Sequence, residues 1–121
     1  MVGNATWFEI PTADFERAIR FYEAVFEVKL RRENIGGELA VFPGDENAVN
    51  GALVHQEGYA PSLTGAAIYL NAGNDLAPLL ARAVAQGGKA LLPKTALPPG
   101  MGHFAHMQDS EGNRVGLHSM N

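Results

Sequence analysis

Two titratable side chains near opposite ends of the chain are candidates for catalysis. Glu9 lies in the strand-like run TWFEI, and His118 lies in NRVGLHS, the last such run. Because side chains alternate between the two faces of a strand, Glu9 shares a face with Trp7. Phe8 and Ile10 point to the other face, and a carboxylate between them is costly unless it is used. A carboxylate and an imidazole that face one cavity could act as general base and general acid.

The remaining histidines give weaker indications of a site. His55 ends the fourth strand-like run much as His118 ends the eighth, so the two could lie at corresponding rims; a solvated His55 is the alternative. His103 and His106 lie an odd number of residues apart in HFAHMQ and point to opposite faces of a strand, so at most one of them joins any site. Tyr69, by the same parity, is predicted on the helix-facing side as a core residue.

The elements that position these residues occur in a pattern that the chain repeats. Apolar residues recur at helical spacing from Phe15 to Phe26, which predicts an amphipathic helix after the first strand. Three strand-like runs follow, VKLRRE, ELAVFP and VNGALVHQ. The second half has the same order, with a helical stripe from Leu76 to Val84 between GAAIYLNA and three more strands. We therefore predict two tandem βαβββ modules, at about 4–57 and about 64–119, within a single domain.

This pattern predicts an α+β fold. Two short helices can cover only one face of eight strands, so the other face would curve around a cavity or a partner. The modules would then form a curved, eight-stranded mixed sheet with both helices on its convex face.

The sequence resembles the vicinal oxygen chelate superfamily, which contains glyoxalase I, extradiol dioxygenases and bleomycin-resistance proteins. The resemblance is carried by ADFERAIRFYEAVF at 13–26 and DSEGNRVGL at 109–117, and it covers essentially the whole chain. The chain is most similar to an uncharacterised branch related to lactoylglutathione lyase, with WFEIP near the start and GLHSM near the end. Glu27 departs from the glycine that such chains commonly carry after the first helix, and it would be strained at a positive φ.

The resemblance implies four positions at which the metal enzymes of the superfamily hold a divalent ion. They fall on Trp7, on Ala52 or Leu53, on Ala66 and on Gly116. None of these side chains offers a ligand atom to a metal. The expectation is therefore a member of the superfamily that uses no metal cofactor.

The same match places Gly116 on the concave face, which His118 then shares by parity. Glu9 and His118 would each lie two residues from a lost ligand position. Three interpretations stay open: an acid–base pair, a displaced metal pair completed by waters or a partner chain, and a hydrogen-bonded pair that only satisfies two half-buried groups. Trp7 is interpreted as core or pocket wall. The predicted substrate-binding residues are Trp7, Ala66, Gly116 and His55.

Three functions follow from these interpretations. The first is a metal-independent protein that binds a small organic molecule on its concave face, with or without lyase or isomerase chemistry through Glu9 and His118. The second is a non-catalytic protein that sequesters a compound, as resistance proteins do. The third is a metal-dependent lyase or dioxygenase with displaced ligands. Whether the chain is an enzyme is left open.

The composition of the chain limits the classes of partner that it can bind. The chain of 121 residues has no cysteine, which excludes disulfides and cysteine-ligated zinc. A net charge of −4 with scattered basic residues argues against nucleic acid. No apolar run is long enough to span a membrane, and no signal peptide is recognised at the N-terminus. We therefore expect a cytoplasmic protein with a small-molecule ligand, which forms a homodimer because curved sheets leave exposed edges.

Overall fold

The chain folds into two βαβββ modules, as seen in a computed structural model that describes residues 3–121. The first module contains β1 (Trp7–Pro11), α1 (Phe15–Phe26), β2 (Arg31–Asn34), β3 (Glu38–Val41) and β4 (Asn50–His55). The second contains β5 (Tyr69–Asn71), α2 (Ala77–Ala85), β6 (Lys89–Ala96), β7 (His103–Gln108) and β8 (Arg114–Ser119). The predicted α+β class and tandem order are confirmed.

The eight strands are divided between two sheets of the same topology. The strand orders are β1-β4-β3-β2 and β5-β8-β7-β6, with four strands in each sheet. Each sheet is mixed, because its first strand runs parallel to its last and the other neighbours are antiparallel. The pairing of the described strands therefore does not continue from one sheet into the other, and side chains join the two modules.

Local signals explain where α1 begins and ends. The Asp14 carboxylate accepts the backbone N–H of Arg17, which caps the first turn. The helix ends at Glu27, which has a φ of 55° and a ψ of 48° in the left-handed region. A residue with a Cβ atom is disfavoured there by roughly 1–2 kcal/mol. The departure from glycine is therefore a real point of backbone strain.

The second helix is less completely covered than its sequence stripe predicts. It begins after Leu76, has a proline in its first turn, and ends before Gly87, whose φ is 96°. Val84 is 50% exposed, so the stripe does not reach the core along its whole length. Neither helix within residues 3–121 is long and apolar enough to cross a membrane.

A single core joins the helix-covered faces of both sheets. Its largest fully buried side chains are Tyr22, Phe21, Leu53, Leu76, Met107 and Leu117. Phe8 also packs against this core, and its ring lies over Gly51 of β4. A Cβ atom at Gly51 would stand 2.4 Å from that ring, so the close approach requires glycine.

A buried polar cluster ties the two modules together. The Tyr22 hydroxyl donates to Asp109 at 2.6 Å, and Asp109 also accepts the backbone N–H groups of Glu111 and Asn113. Glu111 accepts two backbone N–H groups at the start of α1 and the guanidinium of Arg17 at 2.8 Å. The motifs at 13–26 and 109–117 therefore meet in space and hold the second module against the first.

Candidate functional site

Each sheet has a face that the helices leave uncovered, which we call the open face. Ile10, Leu53, Leu70 and Leu117 belong to the core, so their neighbours along each strand point to the open face. On the first sheet the open-face residues include Trp7, Glu9, Ala52 and Val54. On the second sheet they include Tyr69, Asn71, Phe104, His106, Gly116 and His118.

Strand pairing decides between the two alternatives for the second family ligand position. Glu9 pairs with Ala52, whereas Ile10 pairs with Leu53 in the parallel ladder of β1 and β4. Leu53 is fully buried in the core beneath the helices. Ala52 is therefore the position on the open face.

Trp7 lies at the surface of the open face. Its side chain is 43% exposed, and its indole Nε1 donates to Glu9 Oε2 at 3.2 Å. The interpretation of Trp7 as core is therefore wrong, because the strand directs the ring away from the helices. Its partner is the carboxylate two residues further along the same strand.

Glu9 lines a small cleft between the first strand and the segment that joins the modules. The cleft has a volume of about 200 Å3, and Ala66, Asn113 and Arg114 also line it. Ala66 precedes β5 and lies outside the strand. The predicted residues Glu9 and Ala66 are therefore brought to one cleft.

His118 lies on the open face of the second sheet, as its parity with Gly116 predicts. Its Nε2 atom is 2.8 Å from the carbonyl oxygen of Met101. A carbonyl oxygen can only accept, so Nε2 carries the hydrogen and Nδ1 is the nitrogen that can accept from a ligand. His118 lines a cavity of about 330 Å3 with Tyr69, Leu97 and Phe104.

Glu9 and His118 are not brought together within the chain. Within residues 3–121 no hydrogen bond or salt bridge joins them, and they line different cavities. The interpretation of the two as a hydrogen-bonded structural pair is therefore wrong. The physical reason is that β1 and β8 belong to separate sheets, and each side chain has a nearer partner.

His55 lies on the opposite face from His118. It follows Leu53 by two residues on the helix-facing side, with Nδ1 3.2 Å from the Thr12 carbonyl oxygen and its ring 6.3 Å from Phe15. The predicted correspondence between the two histidines therefore fails, because His55 is the last residue of β4, whereas His118 is the last but one of β8. His55 takes no part in the open-face cavities.

The polar cluster that sequence reasoning missed lies on the second open face. Tyr69 is 48% exposed, which corrects its prediction as a core residue; Leu70 takes the core position instead. The Tyr69 hydroxyl oxygen is 2.6 Å from His106 Nε2, and Arg114 Nη1 is 3.0 Å from His106 Nδ1. Burial, together with the charge of Arg114, lowers the pKa of His106 below its ordinary value. The odd spacing of the two histidines in HFAH indicates that only one of them can face the site, and His106 is that histidine.

The family's metal centre does not fit the residues at its four positions. Trp7, Ala52, Ala66 and Gly116 offer no ligand atom, and a Cβ atom at Gly116 would lie 2.3 Å from the Tyr69 ring. The ring of Tyr69 fills the space into which a side chain at position 116 would project. Within residues 3–121 no three His, Asp or Glu side chains converge to hold an ion.

Tyr69 borders two cavities of similar size. The first, of about 300 Å3, lies between the modules and is lined by Phe8, Phe42, Val49 and Asn71 among others. The second is the cavity of about 330 Å3 that contains His118. Small-molecule sites are typically concave and mostly apolar, with a few polar groups that fix orientation. The walls around Tyr69 have this composition.

Sequence comparison identifies the family to which this architecture corresponds. Residues 5–117 match the model of the Glyoxalase/Bleomycin resistance protein/Dioxygenase superfamily. A glyoxylase-like domain-containing protein from Didymella fabae is 32% identical over 117 residues, covering 92% of this chain and 89% of that protein.

Two solved structures illustrate the range of proteins with this fold. Glyoxalase I from Zea mays superimposes with a TM-score of 0.63 at 22% identity, covering 94% of this chain and 45% of the maize enzyme. The chain therefore spans less than half the length of that enzyme. TnmS3, an antibiotic binding protein from Streptomyces, superimposes with a TM-score of 0.64 at 20% identity and covers 99% of this chain and 98% of its own. At these identities the likeness shows the fold.

Proposed function

Because the chain belongs to the Glyoxalase/Bleomycin resistance protein/Dioxygenase superfamily, we propose that it binds a small, partly aromatic organic molecule on the open face of its second sheet. The observation that carries the proposal is the exposed Tyr69 ring between two aromatic-lined cavities. Cavities of about 300 and 330 Å3 are at the lower end of the range for small-molecule sites.

The chemistry of the walls supports an aromatic ligand. Phe104 lies 6.3 Å from Tyr69 and 5.9 Å from His106, measured between ring centroids, and Leu97 and His118 complete the cavity. Aromatic rings at such distances stabilise a further ring by offset or edge contacts. His118 Nδ1 and the Tyr69 hydroxyl are the polar groups that would orient the ligand.

We propose that this binding needs no metal ion. The four family ligand positions hold side chains without ligand atoms, and the Tyr69 ring covers Gly116. Elemental analysis of protein purified without a histidine tag tests this part. One tightly held divalent ion per chain would contradict it and would favour a lyase or dioxygenase with displaced ligands.

We propose binding without turnover as the primary function, in keeping with the fold's occurrence in the antibiotic binding protein TnmS3. A lyase or isomerase reaction through Glu9 and His118 would require both groups to reach one substrate. In a single chain they line different cavities, which favours sequestration. Turnover of any ligand that Glu9→Gln abolishes would restore the catalytic alternative.

A homodimer is part of the proposal. Trp7 and Ile35 are 43% and 72% exposed, and a second copy of the chain would cover such apolar surface. Light scattering across a dilution series should give a dimer mass at micromolar concentration; a monomer mass throughout would contradict it.

A cytoplasmic location is proposed because a chain without cysteine has no need of an oxidising compartment.

The binding proposal is tested by screening aromatic ketones, catechols and hydroxy-ketones by calorimetry, followed by two matched substitutions. Tyr69→Ala should weaken any ligand found by at least about tenfold, because it removes an aromatic wall of both cavities. Tyr59→Ala is the control, since Tyr59 is 44% exposed in the segment between the modules and borders neither cavity. Equal affinity in both variants would place the ligand elsewhere.

A further inference from the structure

The hydrogens in the cluster of Arg114, His106 and Tyr69 can be assigned from the contacts alone. Arg114 Nη1 lies 3.0 Å from His106 Nδ1, and a guanidinium group can only donate. Nδ1 must therefore be the unprotonated, accepting nitrogen of the imidazole. The opposite tautomer would place two N–H groups against each other.

The assignment at His106 determines the state of Tyr69. A neutral imidazole that accepts at Nδ1 carries its hydrogen on Nε2, which is 2.6 Å from the Tyr69 hydroxyl oxygen. Nε2 therefore donates to this oxygen, and the phenolic hydrogen must point to another acceptor. Burial and the Arg114 charge both lower the pKa of His106, which agrees with a neutral ring.

The surroundings of Tyr69 direct that hydrogen to a ligand. The ring is held flat against Gly116 and beside Phe104, and its side chain is 48% exposed beside two cavities. Within residues 3–121 the only hydrogen-bond partner of the hydroxyl is His106 Nε2.

We propose that Arg114 and His106 form a relay that fixes Tyr69 as a hydrogen-bond donor, so that the ligand presents an acceptor oxygen, such as a carbonyl, beside an apolar ring. This inference rests on the proposed function and adds the polarity of the ligand. Arg114 and His106 act as positioning residues, since neither lines the cavity that holds Phe104 and His118. Chains of hydrogen bonds that begin at a charge polarise one another, which strengthens the terminal donor.

The relay is tested first in the unliganded protein. Nitrogen-15 NMR of the imidazole ring should show His106 with its hydrogen on Nε2, and Arg114→Leu should lose this preference. Arg114→Lys, which keeps a cationic donor, should retain it in part. An Nδ1–H tautomer or a doubly protonated His106 in the wild-type protein at neutral pH would overturn the assignment.

The ligand polarity is tested with acetophenone and ethylbenzene, which are similar in shape and differ by a carbonyl oxygen. The wild-type protein should bind acetophenone about three- to tenfold more tightly, because one neutral hydrogen bond has this net effect. Tyr69→Phe and Arg114→Leu should lose the preference, and Tyr59→Phe should keep it. Equal binding of both probes to the wild-type protein would overturn the donor assignment.

The two arms separate this inference from the proposed function. If neither probe shifts resonances around Tyr69, the proposed site is wrong, and the ligand half of the inference falls with it. If both probes bind there equally, the site stands and the donor role fails. The tautomer of His106 is read without any ligand and decides the relay independently.

Discussion

Tyr22 and Tyr69 each place a phenolic oxygen 2.6 Å from a polar side chain, but one ring is fully buried and the other is half exposed. Tyr22 donates to the carboxylate of Asp109, and burial, followed by the charge of Asp109, raises the pKa of this phenol well above its ordinary value. Tyr69 accepts from an imidazole and keeps its own hydrogen for a further partner.

The two clusters differ in how completely their hydrogen bonds are satisfied. Around Asp109, donors from Tyr22, Glu111 and Asn113 meet acceptors within the protein. Around His106 the chain of contacts ends at a hydroxyl group beside two cavities. A satisfied buried network stabilises a fold, whereas an unused donor at a cavity is available for recognition. The motif at 109–117 that carries the family resemblance thus contributes mainly to the first cluster.

Among the substitutions that test this comparison, Asp109→Ala is expected to have the largest effect on stability. Asp109 is 1% exposed, and its removal leaves four buried donor hydrogens without an acceptor. We expect a loss of about 3–5 kcal/mol in the free energy of unfolding, measured by urea titration. Asp45→Ala, at an exposed position outside this cluster, is the control. A loss below about 1 kcal/mol would mean that the network is not what joins the modules.

A substitution at Gly116 should disturb the cluster of Tyr69, His106 and Arg114 on the open face, because the Tyr69 ring packs directly against this glycine. A valine there would push the Tyr69 ring away, since even a Cβ atom would lie 2.3 Å from it. Gly116→Val should shift the His106 Nε2 resonance in NMR spectra, because the contact with the Tyr69 hydroxyl is lost while Arg114 still holds the tautomer, and it should cost about 1–3 kcal/mol of stability. Gly3→Ala is a control, because nothing lies within 4 Å of its added Cβ atom. Unchanged His106 resonances would show that Tyr69 does not depend on Gly116.

Matched removal of the two hydroxyl groups separates their roles directly. Tyr22→Phe should cost about 1–3 kcal/mol, because Asp109 loses a buried donor. Tyr69→Phe should change stability by less than about 0.5 kcal/mol, since water replaces the lost contact at an exposed site. Urea unfolding of both variants measures the difference. Equal losses would mean that the open-face cluster is structural as well.

The smallest effect concerns pH. Burial alone would raise the pKa of Glu111, but hydrogen bonds from Arg17, from the Asp14 backbone N–H and from Ser110 outweigh it, so the folded pKa is lowered. This stabilisation is present above the ordinary glutamate pKa and is lost as pH falls through the lower, folded pKa. Arg17→Gln should reduce the loss of stability at acid pH, because it removes the largest contribution that lowers the pKa of Glu111. Glu33→Gln is the control, because Glu33 belongs to an exposed ion pair with Arg31. If the stability of Arg17→Gln falls at acid pH in the same way as that of the wild-type protein, the expectation is contradicted.

Much of the fold could be predicted because its signals are local. The helical spacing from Phe15 to Phe26, the Asp14 cap and the tandem order of elements all lie within short stretches of sequence. Glu27 was recognisable as a strained position because a left-handed helix end favours glycine.

The site was less predictable because it depends on register between distant strands. β5 has only three residues, and the apolar run GAAIYL does not show where the strand begins. The alternation of side chains between the two faces could therefore not be counted from a known residue, and the face predicted for Tyr69 is the wrong face. The distance between Glu9 and His118 depends on how two separate sheets are arranged, which parity within one strand does not specify. His106 was limited to one of two candidates, and only the core packing of Ala105 and Met107 decided between them.

The two modules use one packing device on opposite faces. Phe8 lies over Gly51 beneath the helices, whereas Tyr69 lies over Gly116 on the open face. In each case an aromatic residue of the module's first strand pairs with a glycine of its last. In such a module, a shift of one residue in the register of a strand is enough to turn a core ring outward. A one-residue insertion or deletion in the segment before β5 would therefore exchange the ring that faces the cavities for the side chain that now lies in the core.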